Sequence, residues 1–158
     1  FDMPFESNDL ISQNNLRNSG CPYILDIHDK LRKRGLKQFG IHLCGNQMHN
    51  LECYNELKLE KGSIISSDEK NPLKSITGIG AELYNAGNVS TGLLTFATPE
   101  EVYWKCKEII DDMKYTGRGF ILQPSCDLPM NAKSINLYAM LKGAEILEII
   151  RVDVYCNW

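Results

Sequence analysis

The sequence predicts an α/β fold in which short parallel strands alternate with helices. Short apolar segments bounded by turn residues recur along the chain, and each is followed by helical spacing or a helix-start signal. With 158 residues the chain has the length of one domain, and no repeat, low-complexity tract or linker divides it. Strands that alternate with helices in this way pair in parallel, because each helix returns the chain to the same end of the sheet. We therefore expect about four βα units after an opening helix.

The opening helix is predicted over Pro22–Arg34, where apolar residues recur at intervals of three and four positions. Gly35 follows as its C-terminal cap, because glycine adopts the left-handed conformation with little strain. Beyond this helix, strands are predicted at Gln38–Leu43, at Ser63–Ser67, at Ala81–Ala86 with an end at Gly87-Asn88, and at Gly119–Gln123.

Helices are predicted after each of these strands. Thr98 is the strongest start, since Pro99 takes the first helical position and Glu101 stands three residues after the cap. The predicted helices run from a cap at Asn46 to about Leu57, weakly from Asp68 to Thr77, from Thr98 to about Lys114, and from about Ile135, capped by Ser134 or Asn131, to Leu147.

Composition and charge argue against two classes of partner. The net charge is -3 with a pI of about 5.6, whereas a nucleic-acid-binding surface is usually basic. Hydrophobic residues make up 43%, which is typical of a globular protein. The longest apolar stretches fall short of the roughly 18 residues that a membrane span needs. We therefore expect a soluble protein that binds neither nucleic acid nor membrane.

Four of the six cysteines form two contrasting pairs. The chain has six, an even number, but small disulfide-stabilised scaffolds carry them more densely, so we expect a reduced, cytoplasmic protein. Cys53 and Cys106 fall within helical patterns, where packing alone explains a buried thiol. Cys44 and Cys126 stand beside turn residues where strands end, so this pair requires a chemical explanation.

His42 and Cys44 lie two residues apart at the end of a predicted strand. Side chains two apart on a strand point to the same face, so this imidazole and this thiol can bind one metal ion. The alternative is a buried histidine bonded to the backbone beside an apolar cysteine.

Two further residues favour the metal site. Cys126 and Asp68 also follow strands, at the carboxyl edge where parallel α/β folds place their active sites. Two thiolates, one imidazole and one carboxylate are ligands that suit Zn²⁺ in tetrahedral geometry. Ligands supplied by distant strands are typical of a catalytic metal site, since structural sites use closely spaced pairs.

Several motifs, taken in their order and spacing, resemble the C-terminal half of the uroporphyrinogen decarboxylase superfamily over about residues 20–147. They are His42-x-Cys44-Gly45-Asn46, Ile65–Glu69, Gly87–Thr91, Ala97–Val102, Gly119–Leu122, Cys126–Pro129 and Asn136-Leu137. The resemblance implies a (βα)₈ TIM-type barrel, which usually takes about 250 residues. We therefore expect residues 1–158 to form a single partial barrel domain with an irregular tail at 149–158, completed by a missing N-terminal half or by self-association.

Within this superfamily the His-x-Cys…Cys set is similar to that of the corrinoid-dependent methyltransferases. The resemblance implies that His42, Cys44 and Cys126 hold zinc and that Asp68, or the adjacent Glu69, is the fourth ligand. It implies transfer of a methyl group, as part of one-carbon metabolism, from a partner corrinoid protein to a small thiol such as coenzyme M or to a related acceptor. Asp68 and Asn88 are the candidate catalytic residues. Asn88 stands at a predicted strand end, where it can point into the pocket, and the simpler alternative is a turn asparagine after Gly87.

Two other functions stay open at this point. One is a decarboxylase-like enzyme that acts on a tetrapyrrole. The other is a non-catalytic barrel fragment or binding module. Zinc analysis and a methyl-transfer assay distinguish these from the zinc methyltransferase.

Overall fold

The computed structural model describes residues 5–80 and 82–146, and these form one four-stranded parallel sheet with helices. The strands stand in chain order across the sheet, and every neighbouring pair is parallel. The α/β class and the four predicted strands are therefore confirmed. The strands are β1 (Gly40–Leu43), β2 (Ile64–Ser67), β3 (Tyr84–Val89) and β4 (Gly119–Pro124).

Helices precede the sheet and follow every strand, as predicted. A short α1, a π-helical turn over Leu16–Gly20 and α2 follow one another without a break. None of the described helices combines the length and hydrophobicity that a bilayer crossing requires. The predicted helix end at Leu147 and the tail 149–158 lie outside the described residues. The helices are α1 (Gln13–Asn15), α2 (Cys21–Lys33), α3 (Leu51–Glu56), α4 (Leu73–Ile76), α5 (Thr91–Phe96), α6 (Pro99–Met113) and α7 (Ser134–Ile146).

The helices cover one face of the sheet. In β1, Ile41 and Leu43 are buried while His42 between them is only partly buried. In β2, Ile65 and Ser67 are buried while Ser66 is not. A sheet covered on both faces buries nearly every strand residue, whereas the alternation in β1 and β2 leaves one face of these strands more open. Strand β3, which lies inside the sheet, is buried at every position after Tyr84. Consecutive parallel strands joined by crossovers of one hand place their helices on one side, as along part of a barrel wall.

Two helices are shorter than predicted. Asn46 does not begin a helix: its side chain accepts from Met48 N at 3.1 Å, its carbonyl accepts from Asn8 N at 2.7 Å, and α3 starts only at Leu51. These contacts from the N-terminal segment hold Asn46 in a turn. The predicted helix Asp68–Thr77 is reduced to α4, because Pro72 disfavours helical backbone at the residue before it.

Strand β3 starts later and ends later than predicted. It runs through Gly87 and Asn88 to Val89, so the predicted end at Gly87-Asn88 is wrong. Pairing with β4 continues past this dipeptide, where Asn88 lies opposite Gln123, and overrides its local preference for a turn. Helix α5, which the sequence did not reveal, begins directly afterwards, with Leu93 N donating to the Ser90 hydroxyl at 3.3 Å.

The start of α6 agrees with the sequence. Thr98 N donates to the Glu101 carboxylate at 2.8 Å, and Glu101 N donates to the Thr98 hydroxyl at 3.3 Å. The bond from the Thr98 backbone, followed by that from its hydroxyl, lowers the pKa of Glu101. The predicted capping box is confirmed.

One of the cysteine interpretations is wrong. Cys53 forms a disulfide with Cys21, joining α3 to α2, so it is not a packing residue alone and the chain is not fully reduced. Cys106 does behave as a packing residue, because it is fully buried and burial raises its pKa to about 12. Cys126 is a free thiol.

The buried His28 predicts a pH-dependent stability. Its ring lies 4.0 Å from that of Phe39, and burial, aided by the charge of Arg32, lowers its pKa from 6.5. The unfolded chain therefore takes up a proton first as the pH falls, so the stability that neutral His28 provides above about pH 6.5 is lost as the pH falls toward the folded pKa. We expect the free energy of unfolding of His28→Leu to fall less between about pH 7 and pH 5 than that of the wild type. Urea denaturation across this range measures it. The exposed His49→Leu is the matched control, and an equal slope in His28→Leu would refute the assignment.

Exposed apolar residues on α7 and two unpaired edge strands in the described sheet predict that this chain does not remain a monomer in solution. Ile135, Tyr138 and Leu141 of α7 are each more than half exposed and stand three residues apart, which makes an apolar stripe. Among the described residues, β1 and β4 are both edge strands, and unpaired strand edges favour association. Sedimentation equilibrium is expected to show self-association, and a compact monomer at micromolar concentration would contradict it.

Candidate metal centre

Three side chains at the ends of the two edge strands, β1 and β4, meet beyond the carboxyl edge of the sheet. His42 is the third residue of β1, Cys44 follows the last residue of that strand, and Cys126 comes two residues after β4. One ligand atom from each lies within 4.8 Å of the other two, and all three residues are partly buried. The two sulfur atoms are 3.7 Å apart, although the residues are 82 positions apart in the chain. The structure thus brings the predicted trio together.

The sulfur separation fits a tetrahedral metal. With zinc–sulfur bonds of about 2.3 Å and a tetrahedral angle, two thiolates on one ion stand about 3.8 Å apart. The observed 3.7 Å between the two sulfur atoms is close to this value. The donor set therefore fits Zn²⁺ in its chemistry and in the spacing of its two thiolates.

His42 has one nitrogen engaged and one available. Its Nδ1 lies 2.9 Å from the Ser66 hydroxyl, which stands opposite it in the β1–β2 register. Its Nε2 is buried and has no hydrogen-bond partner among the described residues. The alternative of a histidine bonded to the backbone does not hold, and Nε2 is the atom left for a metal.

The turn that carries Cys44 is held by buried amides. Gln47 Nε2 donates to the Cys44 carbonyl at 2.9 Å. Asn71 Nδ2 donates to the Gly45 carbonyl at 2.8 Å, and its Oδ1 accepts from Gln47 N at 2.8 Å. Gly45 has a φ of 66°, and a Cβ there would stand 2.5 Å from Ser7 Oγ, so only glycine fits this turn. Asn71 and Gln47 are fully buried, so water does not compete for the hydrogen bonds with which they clamp the Cys44 turn.

Asp68 lies beside the three ligands but contacts the backbone. Its Oδ2 accepts from Gly45 N at 3.2 Å and its Oδ1 from Lys70 N at 3.0 Å. It is not one of the three residues whose ligand atoms cluster, and the adjacent Glu69 accepts from the Ser90 hydroxyl at 3.1 Å. A fourth metal ligand at Asp68 stays a prediction.

Asn88 bonds to the same loop from the neighbouring strand. Its Nδ2 donates to the carbonyls of Asp68 at 3.2 Å and of Asn71 at 2.9 Å. Its side chain therefore links β3 to the loop after β2, whose Asn71 in turn contacts the Cys44 turn. A catalytic role for Asn88 stays a prediction.

A cavity of about 480 Å³ opens beside the trio on the uncovered face of the sheet. Its lining includes His42, Ser66, Gln123 and Cys126, with Asp127 exposed among them. Cys126 forms part of the wall, so a small molecule in this cavity would lie against one of the three ligand residues.

The sequence profile described as uroporphyrinogen decarboxylase (URO-D) matches residues 1–145. The chain belongs to the uroporphyrinogen decarboxylase family. The resemblance identified from the motifs is thereby confirmed. Among solved structures, a methyltransferase from Methanosarcina mazei is similar, with a TM-score of 0.74 and 21% identity. That match covers 93% of this chain and 41% of the other, so the chain spans about two fifths of that barrel protein's length. No significant match to a curated protein was found.

In this member of the URO-D family, sequence reasoning missed the residues that support the ligands. Ser66 and Gln123 both line the cavity, and Asn71 clamps the Cys44 turn. One sequence signal could have found them. Polar residues at every second position of an apolar strand lie on one face of the sheet, and this pattern indicates that the face is not part of the hydrophobic core. Lys70 Nζ also reaches Asp9 at 2.7 Å, which ties the N-terminal segment to this edge. No local pattern indicated that contact.

Proposed function

We propose that this chain supplies the metal-binding part of a zinc-dependent methyltransferase, which moves a methyl group from a corrinoid protein to a thiol. His42, Cys44 and Cys126 would hold the zinc. The observation that supports this most is the pair of sulfur atoms 3.7 Å apart beside the unpartnered Nε2 of His42. A structural metal site would use closely spaced pairs, whereas this trio comes from opposite edges of the sheet beside an open cavity.

The residues of this chain bind and orient. Cys44 and Cys126 would bind the metal as thiolates and His42 as a neutral imidazole, so each thiol would release a proton when the site fills. The chemistry that Zn²⁺ supplies when bound is to lower the pKa of a substrate thiol, so that its sulfur can attack a methyl group near neutral pH. Asp68 would become the fourth ligand only if its carboxylate gave up the hydrogen bond from Gly45 N. Asn88, which donates to the Asp68 carbonyl, would keep the Asp68 backbone close to the metal.

The partners and the location are part of the proposal. A corrinoid protein as methyl donor and a small thiol such as coenzyme M as acceptor rest on the resemblance to the corrinoid-dependent enzymes. Because the chain covers 41% of the similar methyltransferase, turnover would require the remainder of the barrel. The proposed location is the cytoplasm, where thiols that bind metal stay reduced. The Cys21–Cys53 disulfide is the observation that argues against that location.

A second candidate function is decarboxylation of a tetrapyrrole, which the family name favours. Decarboxylation needs no pair of thiolates, so the trio would then have no chemical use. Metal content and methyl transfer therefore separate the two.

The experiment combines both measurements on the enzyme with its complete barrel. We expect one zinc per chain after purification without added metal, and thiol-dependent loss of the methyl group from methylcobalamin. Omitting the thiol is the control and should stop demethylation. Zinc without methyl transfer would favour a binding module, and absence of zinc would contradict the proposal.

A further inference from the structure

Ser66 stands where it can fix the orientation of the His42 ring. The two residues are direct partners in the β1–β2 register, so their side chains project from the same open face. Ser66 Oγ is 2.9 Å from Nδ1 of His42. This contact leaves Nε2 as the atom that no other described group uses.

Gln123 holds Ser66 in turn. Its amide Nε2 donates to the Ser66 hydroxyl oxygen from β4, two strands away. In β3, Gln123 pairs with Asn88 and Ser66 pairs with Ala86, so the Gln123 side chain reaches Ser66 diagonally across β3. A hydroxyl oxygen has two lone pairs. With one accepting from Gln123, the other remains for an N–H from the imidazole.

We propose that Ser66, fixed by Gln123, is a positioning residue that keeps His42 in the tautomer protonated on Nδ1 and so presents the Nε2 lone pair to the metal. The role in metal binding rests on the proposed function, whereas the contact between Ser66 and His42 does not. Histidines that bind metals generally donate their second N–H to an acceptor, and removal of that acceptor costs about 10- to 100-fold in metal affinity. Here the acceptor would be the hydroxyl of Ser66 on the neighbouring strand β2.

The test uses three substitutions around one strand. Ser66→Ala removes the acceptor, Ser66→Thr keeps a hydroxyl, and Ser67→Ala is the matched control, since Ser67 faces the other side of β2 and its hydroxyl has no hydrogen-bond partner among the described residues. Competition with a chromophoric chelator should show zinc affinity about 10- to 100-fold weaker in Ser66→Ala. Ser66→Thr and Ser67→Ala should stay within about threefold of the wild type. If Ser66→Ala does not fold, Gln123→Leu provides the second probe and should weaken binding in the same direction.

A second readout needs no metal. The ¹⁵N shifts of the His42 ring in the metal-free protein should report the Nδ1–H tautomer in the wild type and a mixture in Ser66→Ala. Unchanged shifts together with unchanged zinc affinity in Ser66→Ala would overturn the inference. A wild type that binds no zinc but shows the Nδ1–H tautomer, lost in Ser66→Ala, would contradict the proposed function and support the positioning contact.

Discussion

Cys126→Ala is expected to weaken zinc binding by roughly a hundredfold to a thousandfold and to abolish methyl transfer. The estimate follows because four-ligand zinc sites bind with about 10–16 kcal/mol, so one ligand contributes about 3–4 kcal/mol. Cys126 is the ligand supplied from β4, so its loss opens the site and leaves His42 and Cys44 on β1 unchanged. Zinc content and chelator competition measure the affinity, and methylcobalamin demethylation measures the activity. Affinity should also fall as the pH is lowered, because the ligands bind in deprotonated form.

The matched control for Cys126→Ala is Cys106→Ala. Cys106 is a free, fully buried thiol outside the cluster of three ligands, so its replacement should reduce stability and leave zinc affinity unchanged. Cys44→Ser should behave like Cys126→Ala in the zinc measurement. If both cluster variants retain wild-type zinc and turnover, zinc is not the thiol activator, and the decarboxylase-like or non-catalytic interpretation takes its place.

Asn71→Ala is expected to destabilise the fold by about 2–6 kcal/mol. The substitution removes two short hydrogen bonds, a partly buried one to the Gly45 carbonyl and a buried one from Gln47 N, and each group that loses its partner costs about 1–3 kcal/mol. These bonds fix the turn that follows Cys44, so the variant should lose local order at the site as well as global stability. Chemical denaturation measures the free energy of unfolding, and hydrogen exchange at Gln47 measures the local effect.

Asn18→Ala is the control for Asn71→Ala, because Asn18 is exposed and its side chain donates to the exposed Asn14 side chain. A surface change of this kind should stay within about 0.5 kcal/mol. Asn71→Asp keeps the acceptor for Gln47 N but places a carboxylate oxygen against the Gly45 carbonyl at a fully buried position, so it should destabilise at least as much as Asn71→Ala. Equal stability of Asn71→Ala and Asn18→Ala would show that the buried clamp contributes nothing.

Local chemistry determined a large part of this protein. The Thr98–Glu101 capping box forms from groups three residues apart, so the sequence predicts it completely. His42 and Cys44 share a face because side chains alternate along a strand. The approach of Cys126 to them followed from one further rule, that parallel strands end at the same edge. These features depend on spacing alone.

Tertiary structure decided the rest. Gly87-Asn88 has a turn sequence but continues β3, because pairing with β4 outweighs its local preference. Asn46 fails to begin a helix because Asn8, far away in the chain, binds its carbonyl. The Cys21–Cys53 disulfide depends on how α2 packs against α3, which cysteine spacing does not determine. The contact of Gln123 with Ser66 depends on the register of three strands, and only the packed sheet fixes that register.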